Sequence, residues 1–327
     1  MYASLPSSWH RSEECAPRYH AVTLPLSRHT WIPFADIPPS FDLTTLYREL
    51  QRLHPEGFVI RGCPPEVSAL FHSFGDDTLR TGMDAVLDLT SHRHFEGKRV
   101  RAALKRGWRH GMVEEIPPAA LTTGRLAALQ KESVHAGKPM LRNLFRSNPL
   151  ETSRCFVFRS FSGVWHACLT LSRQGKNAFH TELMLRSANA PGDVMECLIA
   201  GTAEQLRAEG AERLSLGEVP FMIHQGDPQP LALLERILLT AAPLCRHAYD
   251  YKGLYAFKNK FRPLWRTMRL CAGPGVALKP SLLFELAYST GFVELLAEAT
   301  LQQLDLLDEG EEEPANGGKP FSSASGC

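Results

Sequence analysis

The sequence lacks any long apolar run. Its 327 residues contain no stretch of the roughly 20 consecutive apolar residues that a membrane-spanning helix needs, and Glu235 and Arg236 interrupt the apolar segment "LALLERILLTAAPLC". The start of the chain also lacks the basic region followed by an apolar region that marks a secretory signal. We therefore predict a cytoplasmic protein and leave open a peripheral contact with the inner face of a membrane.

Clustered metal ligands are missing as well. The eight cysteines are scattered, and no two have the C-x-x-C spacing that zinc and redox sites favour. His92 and His94 lie close together, but no further ligand stands at metal-site spacing. The sequence therefore predicts cysteines that act mostly as small buried hydrophobes, no metal and no required cofactor.

The pattern of apolar residues predicts a mixed α/β fold in two similar halves. Asp42 is a candidate N-cap for a helix through "LTTLYRELQRLHPEG", strands follow at "GFVIRG" and "DAVLDL", and a helix at 96–111 is closed by Gly111. Two prolines in "EEIPPAALTTG" break the chain, and helix and strands then begin again. We predict a flexible N-terminus at 1–19, a first domain at 20–116, a second domain carrying the candidate site at 117–279, an amphipathic helix at 280–306 and a disordered acidic tail at 307–327.

The helix predicted at 96–111 carries cations on one side and apolar residues on another. The cations recur at i, i+3, i+7 and i+11 (Lys98, Arg101, Lys105, Arg109), and the apolar residues at i, i+4 and i+8 (Val100, Leu104, Trp108). Glu96 is the only acid nearby, so i,i+4 partners cannot neutralise this charge. The helix is either an ordinary solvated surface or a surface that contacts nucleic-acid phosphates.

A second basic segment, "YKGLYAFKNKFRPLWRTMRL" at 251–270, contains no acid. We predict a short helix that ends at Pro263, with Lys258 and Arg262 one turn apart on a shared face. Two such segments in a chain with a net charge of +1 mean that positive charge is concentrated locally. The pattern favours a binding site for an anion.

Between the basic segments, "HTELMLRSANAPGDVMECL" predicts a strand, a Pro-Gly turn and a helix that begins near Asp193. The strand carries Glu182, Met184 and Arg186. A helix N-terminus beside a strand end offers free backbone N–H groups to an anion, although the same sequence also describes a plain strand-to-helix turn.

Three stretches together resemble the C-terminal domain of the bacterial phosphatidylglycerol lysyltransferases, also called multiple peptide resistance factors. They are "EGKRVRAALKRGWRHG", "ELMLRSANAPGDVMECLIAGTAEQLRAEGAERLSLGEVP" and "YKGLYAFKNKFRPLWRTMRLCAGPGVAL". The resemblance implies two tandem acetyltransferase-like (GNAT-type) domains, each a mixed sheet flanked by helices. It also implies transfer of an aminoacyl group from aminoacyl-tRNA to a phosphatidylglycerol-like lipid or another hydroxyl or amine acceptor, with no role for DNA.

The resemblance also implies roles for particular residues. Glu182 is a candidate base for the attacking hydroxyl, and Lys258 is a candidate electrophile for the oxyanion. The candidate catalytic residues are Glu182, Lys258 and Lys260; the candidate substrate-binding residues are Met184, Arg186, Glu218 and Arg262; the candidate tRNA-binding residues are Lys98, Arg101, Lys105, Arg106 and Arg109.

The sequence departs from the family's pattern at three places. It has Glu182-Leu183-Met184-Leu185 where the family usually has Asp-Leu-Met-Arg, and it has Glu218 in "LGEVP" where the family is usually neutral. The glycine-aspartate-proline segment of the first half is replaced by "PFADIPP". Two alternatives therefore stay open: a transferase that uses acyl-CoA or acyl-carrier protein, and a non-catalytic module of the same fold that binds RNA or another anion. The amino acid, the acceptor and the oligomeric state also stay open.

Overall fold

A computed structural model of the chain describes residues 4–121, 123–134, 136–152, 154–224 and 229–311. Within these residues the chain forms eleven strands and nine α-helices. The strands are β1 (Trp9–Arg11), β2 (Arg18–Thr23), β3 (Thr30–Ile37), β4 (Phe58–Cys63), β5 (Thr78–Asp88), β6 (Gly111–Ile116), β7 (Arg154–Ser160), β8 (Trp165–Gly175), β9 (Ala178–Arg186), β10 (Arg213–Pro220) and β11 (Leu264–Ala272). The helices are α1 (Leu43–Leu53), α2 (Pro65–Ser73), α3 (Lys98–Gly107), α4 (Thr123–Lys131), α5 (Val194–Ala208), α6 (Leu233–Ala241), α7 (Tyr251–Asn259), α8 (Pro280–Ser289) and α9 (Phe292–Glu311).

The eleven strands form one mixed sheet. Its order is β1-β3-β4-β11-β5-β10-β9-β8-β7-β6, and β2 pairs with β3 outside this path. The pairs β1 with β3, β3 with β4, and β9 with β10 are parallel. The remaining neighbours are antiparallel. The predicted mixed α/β fold, with helices flanking a large sheet, is confirmed.

Strands from before and after the predicted boundary at residue 117 pair with each other at two places in the sheet. β6, from the first half, pairs with β7 at one edge of the sheet. β11, from the second half, lies between β4 and β5 of the first half. The division into two GNAT-type domains therefore stays a prediction, because the halves contribute strands to one continuous sheet.

The main core lies where α3 and α5 pack on the sheet. Val100 of α3 and Leu198 of α5 are buried in one cluster with Phe156 and Leu169 of the sheet, and Trp108 packs against it. The predicted apolar side of the 96–111 helix is thus confirmed. The predicted cap of the first helix is also confirmed, because the Asp42 carboxylate accepts a hydrogen bond of 2.8 Å from the Thr45 N–H.

The prediction of a flexible N-terminus at 1–19 is wrong for the part that the structure describes. Leu5 and Trp9 are buried in a core cluster, and Trp9–Arg11 forms β1. Apolar side chains as large as these stabilise the fold by about 2 kcal/mol each when they are buried, which is enough to hold a short segment in place.

Two further boundaries differ from the prediction. Gly111 does not close the preceding helix: α3 ends at Gly107, and Gly111 begins β6, where a side chain would collide with the Arg159 carbonyl oxygen. The second half of the 251–270 segment forms the central strand β11, which the sequence pattern did not predict. Its charged residues hid the strand period: Arg266 finds its partner, Asp84, on β5, and Arg269 bonds Gln229.

The predicted helical region at 280–306 forms α8 and α9. Gly291 separates them with φ at +74°, as the predicted interruption requires. The predicted tail at 307–327 overlaps the end of α9, and its residues 312–327 lie outside the described residues. None of the helices in the described part of the chain is long and apolar enough to cross a bilayer.

Candidate functional site

The sheet opens between β9 and β10. These strands pair in parallel from Arg213 with Ala178 to Ser215 with His180, and the pairing then ends. On its other side, β10 shifts register against β5 between Ser215 and Glu218. Gly217 lies in this bulge with φ at +87°, which favours glycine. Bulges of this kind bend a strand and redirect its side chains, and this one exposes the backbone carbonyls of β10 to α7.

The first part of the second basic segment forms α7, and Lys258 of this helix reaches into the opening. Its Nζ donates hydrogen bonds to the carbonyl oxygens of Gly217 at 2.9 Å and Glu218 at 3.3 Å. Burial lowers the pKa of Lys258 to about 8, against the opposing effect of the Asp84 and Glu218 carboxylates. An ammonium has three N–H donors, so one remains for a further acceptor.

Glu182 lies in a bulge of β9. Leu171 of β8 pairs with Thr181 and Leu169 with Met184, so Glu182 and Leu183 together occupy the space of one paired residue. Its Oε2 accepts hydrogen bonds from Ser8 Oγ at 2.9 Å and from the Arg146 N–H at 2.8 Å. Its Oε1 is buried and has no hydrogen-bond partner among the described residues. A buried carboxylate oxygen without a partner is a candidate acceptor for a donor group of a substrate.

Glu218, which the sequence placed where the family is usually neutral, is fully paired. Its carboxylate accepts hydrogen bonds from Arg61 Nη1 at 2.9 Å and Thr81 Oγ1 at 2.7 Å. Arg61 also donates to the Leu144 carbonyl at 3.0 Å. The additional negative charge is therefore compensated by a cation from β4, and Glu218 helps to hold the bulge in place.

A third group of polar residues crosses the sheet beside the opening. Ser215 Oγ lies 2.6 Å from Asp84 Oδ1 and 2.9 Å from His180 Nδ1. Asp84 Oδ2 accepts a hydrogen bond of 3.0 Å from Arg266, which stands opposite it on β11. None of these four residues was predicted from the sequence to belong to the site. Asp84 gave a usable signal, because it interrupts the apolar run from Met83 to Leu87 of β5, whereas His180 stands beside further polar residues of β9.

The N-terminal segment and the segment around Arg146 cover this face of the sheet. Arg146 donates to the Ser8 carbonyl and to Asp36 Oδ1, at 3.2 and 2.8 Å. Ser8 has φ at +63°, a strained value for a residue with a side chain. His10 lies nearby, and burial together with Arg146 lowers its pKa. Ser8 and His10, which were predicted to lie in a flexible terminus, thus cover the site together with Arg146.

The other candidate residues do not all converge on this site. Lys260 Nζ donates to Glu196 Oε1 at 2.8 Å, at the first turn of α5. Arg262 is exposed, with its guanidinium beside Gly97 before α3, so the predicted shared face with the buried Lys258 is wrong. Met184 packs against the core on the α5 side. Arg186 is half-buried and makes no hydrogen bond or ion pair within the described residues.

The cations predicted as tRNA-binding, four on α3 and Arg109 in the turn after it, divide into two kinds. Lys98, Arg101, Lys105 and Arg109 are exposed, and none pairs with an acid in the part of the chain that the structure describes. Arg106 differs, because its guanidinium binds both Asp193 oxygens, at 2.7 and 3.2 Å. Asp193 precedes α5 with φ at +65° and makes no cap hydrogen bond with its side chain. Arg106 therefore joins two helices, and the other four form an exposed cationic row, which we call the α3 row.

Two contacts of His94 connect the loop after α7, which follows Lys258, to the segment before α3. His94 Nδ1 lies 2.9 Å from the carbonyl oxygen of Phe261, which follows Lys258 by three residues. The same imidazole binds the Asp88 N–H through Nε2, at 2.9 Å. This pair of contacts fixes the loop after α7 against the start of α3, and so fixes the cationic row relative to the buried lysine.

The fold is shared with two solved structures. The structure of L-PGS from Bacillus licheniformis has 19% sequence identity and a TM-score of 0.60, and the match covers 80% of this chain and 82% of that chain. The C-terminal domain (DUF2156) of a putative lysylphosphatidylglycerol synthetase from Agrobacterium fabrum has 20% identity and a TM-score of 0.62, with 85% of both chains covered. None of the curated proteins compared with the chain matches it. The structural likenesses define the class of fold, a mixed α/β domain like those of these two proteins.

The family follows from the sequence itself. The model of the family described as "Phosphatidylglycerol lysyltransferase, C-terminal" matches residues 32–272. Because this stretch is more than half of the chain, the chain belongs to that family, and the resemblance stated from the three motifs is confirmed. The domain is accordingly a transferase.

Proposed function

We propose that this domain transfers an aminoacyl group from aminoacyl-tRNA to a hydroxyl of a phosphatidylglycerol-like lipid, or to another hydroxyl or amine acceptor. The observation that carries the donor is the α3 row. Three exposed cations of α3 and Arg109 just after it, none with an acidic partner among the described residues, give a surface that binds phosphates by releasing counterions. Family membership supports the lipid acceptor.

The residues at the opening of the sheet suit this chemistry. Transesterification develops negative charge on the carbonyl oxygen of the aminoacyl ester, and a preorganised cation in a buried site stabilises it. Lys258 has one N–H left after it donates to two β10 carbonyls. Glu182 Oε1 is buried and has no hydrogen-bond partner among the described residues, so in this proposal it accepts a hydrogen bond from a hydroxyl or ammonium of either substrate. Lys260, paired with Glu196, orients the start of α5 in this proposal and does not contact the ester.

The alternative of an acyl-CoA donor is less well supported. Its pyrophosphate would bind at the N-terminus of α5. Two carboxylates already stand there: Asp193 precedes the helix and binds Arg106, and Glu196 in the first turn binds Lys260. They would repel a further anion, and the two nearest cations are already paired with them. Tight binding of CoA thioesters to the purified chain would reverse this preference.

The test compares two double charge reversals. Lys98→Glu with Arg101→Glu changes the α3 row, and Arg48→Glu with Arg52→Glu makes the same change on the exposed side of α1. We expect only the first to weaken tRNA binding, and to reduce the slope of log K against log salt by roughly 0.7 to 0.9 per lost phosphate contact. Transfer of label from a mixture of radiolabelled aminoacyl-tRNAs to phosphatidylglycerol vesicles would fall in parallel. Equal tRNA affinity for both double variants would contradict the proposed donor.

A further inference from the structure

The polar group beside the opening forms a chain of hydrogen bonds that ends at a histidine. Ser215 Oγ contacts three partners: Asp84 Oδ1 at 2.6 Å, His180 Nδ1 at 2.9 Å and the Gly217 N–H at 3.0 Å. Asp84, His180 and Ser215 come from three neighbouring strands, and each is at most 5% exposed. The strands of the sheet therefore hold this hydrogen-bond network in place.

The number of available protons determines which group donates each hydrogen bond in this network. A hydroxyl has one proton, and a carboxylate has none. Asp84 is ion-paired with Arg266, so the proton between Asp84 and Ser215 comes from the Ser215 hydroxyl. Ser215 then accepts from the Gly217 N–H and must also accept from His180. The network thus assigns the proton of neutral His180 to Nδ1 and leaves the lone pair on Nε2.

The surroundings of His180 keep it neutral and place it near Lys258. Burial lowers its pKa below the ordinary value of 6.5, although the Glu182 and Asp84 carboxylates raise it and the Lys258 and Arg61 cations lower it. Gly217 separates His180 from Lys258: a side-chain carbon there would lie 3.5 Å from Lys258 Nζ and 4.0 Å from His180 Cε1. His180 Nε2 has no hydrogen-bond partner among the described residues.

We propose that His180 Nε2 is the proton acceptor for the attacking hydroxyl or amine of the acceptor, and that Ser215 and Asp84 are positioning residues that fix its tautomer. This rests on the proposed function. The acceptor oxygen forms a bond to the carbonyl carbon of the aminoacyl ester, and its proton moves to Nε2. The tetrahedral intermediate then breaks its bond to the ribose oxygen of the tRNA, which takes the proton back from Nε2. One ester bond forms and one breaks, without change in net charge.

The tautomer can be measured without any substrate. Long-range ¹H–¹⁵N NMR of the full chain with labelled histidine, assigned through His180→Gln, should show His180 neutral and protonated at Nδ1 at pH 7. Ser215→Ala removes the acceptor for that proton and should shift the population toward the Nε2-protonated form. A wild-type His180 protonated at Nε2 would overturn the proposal, whatever the substrate of the domain is.

Activity tests the role of the same nitrogen. His180→Gln should lower kcat by roughly 10²- to 10⁴-fold with unchanged tRNA affinity, which is the usual size of a general-base contribution. His72→Gln, at an exposed histidine of α2, is the matched control. Imidazole should partly restore the rate of His180→Ala. The Ser215→Ala variant should lower kcat while KM stays the same, and it serves if His180 variants fail to fold.

The pH profile separates His180 from Glu182. In the wild-type chain, kcat/KM should fall on the acid side at a pH below 6.5, as His180 becomes protonated. His180→Gln should remove this limb. Wild-type rates in a folded His180→Gln, together with an inactive Glu182→Gln, would overturn the proposal and make Glu182 the base. If the wild-type chain transfers no aminoacyl group at all, the proposed function fails, and the NMR result alone decides the tautomer.

Discussion

The two basic segments are both rich in cations and poor in acids, but the structure places their charges differently. On α3 and in the turn after it, the four cations of the α3 row stay exposed without acidic partners in the described chain. In the 251–270 segment, most cations turn toward the protein. Lys258 binds two backbone carbonyls, Lys260 binds Glu196 and Arg266 binds Asp84.

The difference lies in what each segment becomes. α3 is a surface helix with no acid of its own three or four residues from a cation, and Arg106 alone of its predicted contact residues finds a remote partner, Asp193, among the described residues. The 251–270 segment ends in a central strand, whose cross-strand neighbours come from remote parts of the chain. A local lack of acids therefore predicts that the cations of a surface helix stay exposed. It does not predict whether the cations of a strand are exposed or paired.

The largest expected effect comes from removing the inward-facing lysine. Lys258→Met should lower the rate of aminoacyl transfer by roughly 10²- to 10³-fold, because the developing oxyanion loses its cation. Lys252→Met, at an exposed position of the same helix, should change the rate little. The measurement is kcat for both variants with one aminoacyl-tRNA preparation. Comparable rates for the two would show that the inward cation has only a structural role.

The same substitution has an opposite effect on stability. With its pKa lowered to about 8, folded Lys258 binds fewer protons than unfolded Lys258 between about pH 8 and 10.5. The unfolding free energy of the wild-type chain should therefore rise across that window, by something on the order of 3 kcal/mol. Lys258→Met should lack this rise and be more stable than the wild type at pH 7. Urea unfolding at several pH values checks both statements.

The next effect compares one neutralised cation from each segment. Arg266→Gln leaves the buried Asp84 carboxylate unpaired and should lower the unfolding free energy by about 3 kcal/mol. Lys98→Gln, in the α3 row, should change it by less than about 0.5 kcal/mol. Urea midpoints of the two variants measure the contrast. Similar midpoints would mean that the Arg266–Asp84 pair does not stabilise the fold.

The smallest expected effect distinguishes two neighbouring cations of α3. Lys105→Gln should reduce the salt slope of tRNA binding by roughly 0.7 to 0.9, because one phosphate contact is lost. Arg106→Gln, one residue further, should leave the slope unchanged, because its charge is already paired with Asp193. Titrations at three salt concentrations resolve the two. A lower slope for Arg106→Gln would show that tRNA displaces Asp193 from this arginine.

Much of the fold could be predicted from the sequence, because its elements have local signals. The cap at Asp42, the apolar side of α3 and the break at Gly291 each depend on a few neighbouring residues. β11 could not be found in this way. Its position between β4 and β5 depends on pairing with residues far away in the sequence, and its charged residues conceal the strand period.

The candidate site was predicted only in part. Glu182 and Lys258 were found through the family motifs, and the structure encloses both at one opening of the sheet. Ser8, Ser215 and His180 carry no motif, and a distant partner alone gives each its environment. Arg262 was misplaced because a helical spacing was extended past Asn259, where α7 ends.

The position of β11 also determines when the sheet can finish folding during synthesis of the chain. Asp84 and Arg266, which face each other on β5 and β11, are 182 residues apart in the sequence. Until β11 has been made, β4 and β5 each lack a neighbour in the middle of the sheet, and their backbone groups are open to pairing with other strands. Contacts this distant in sequence form slowly. A chain that stops before Leu264 therefore carries two central strand edges without their partner, and we expect aggregation to begin there.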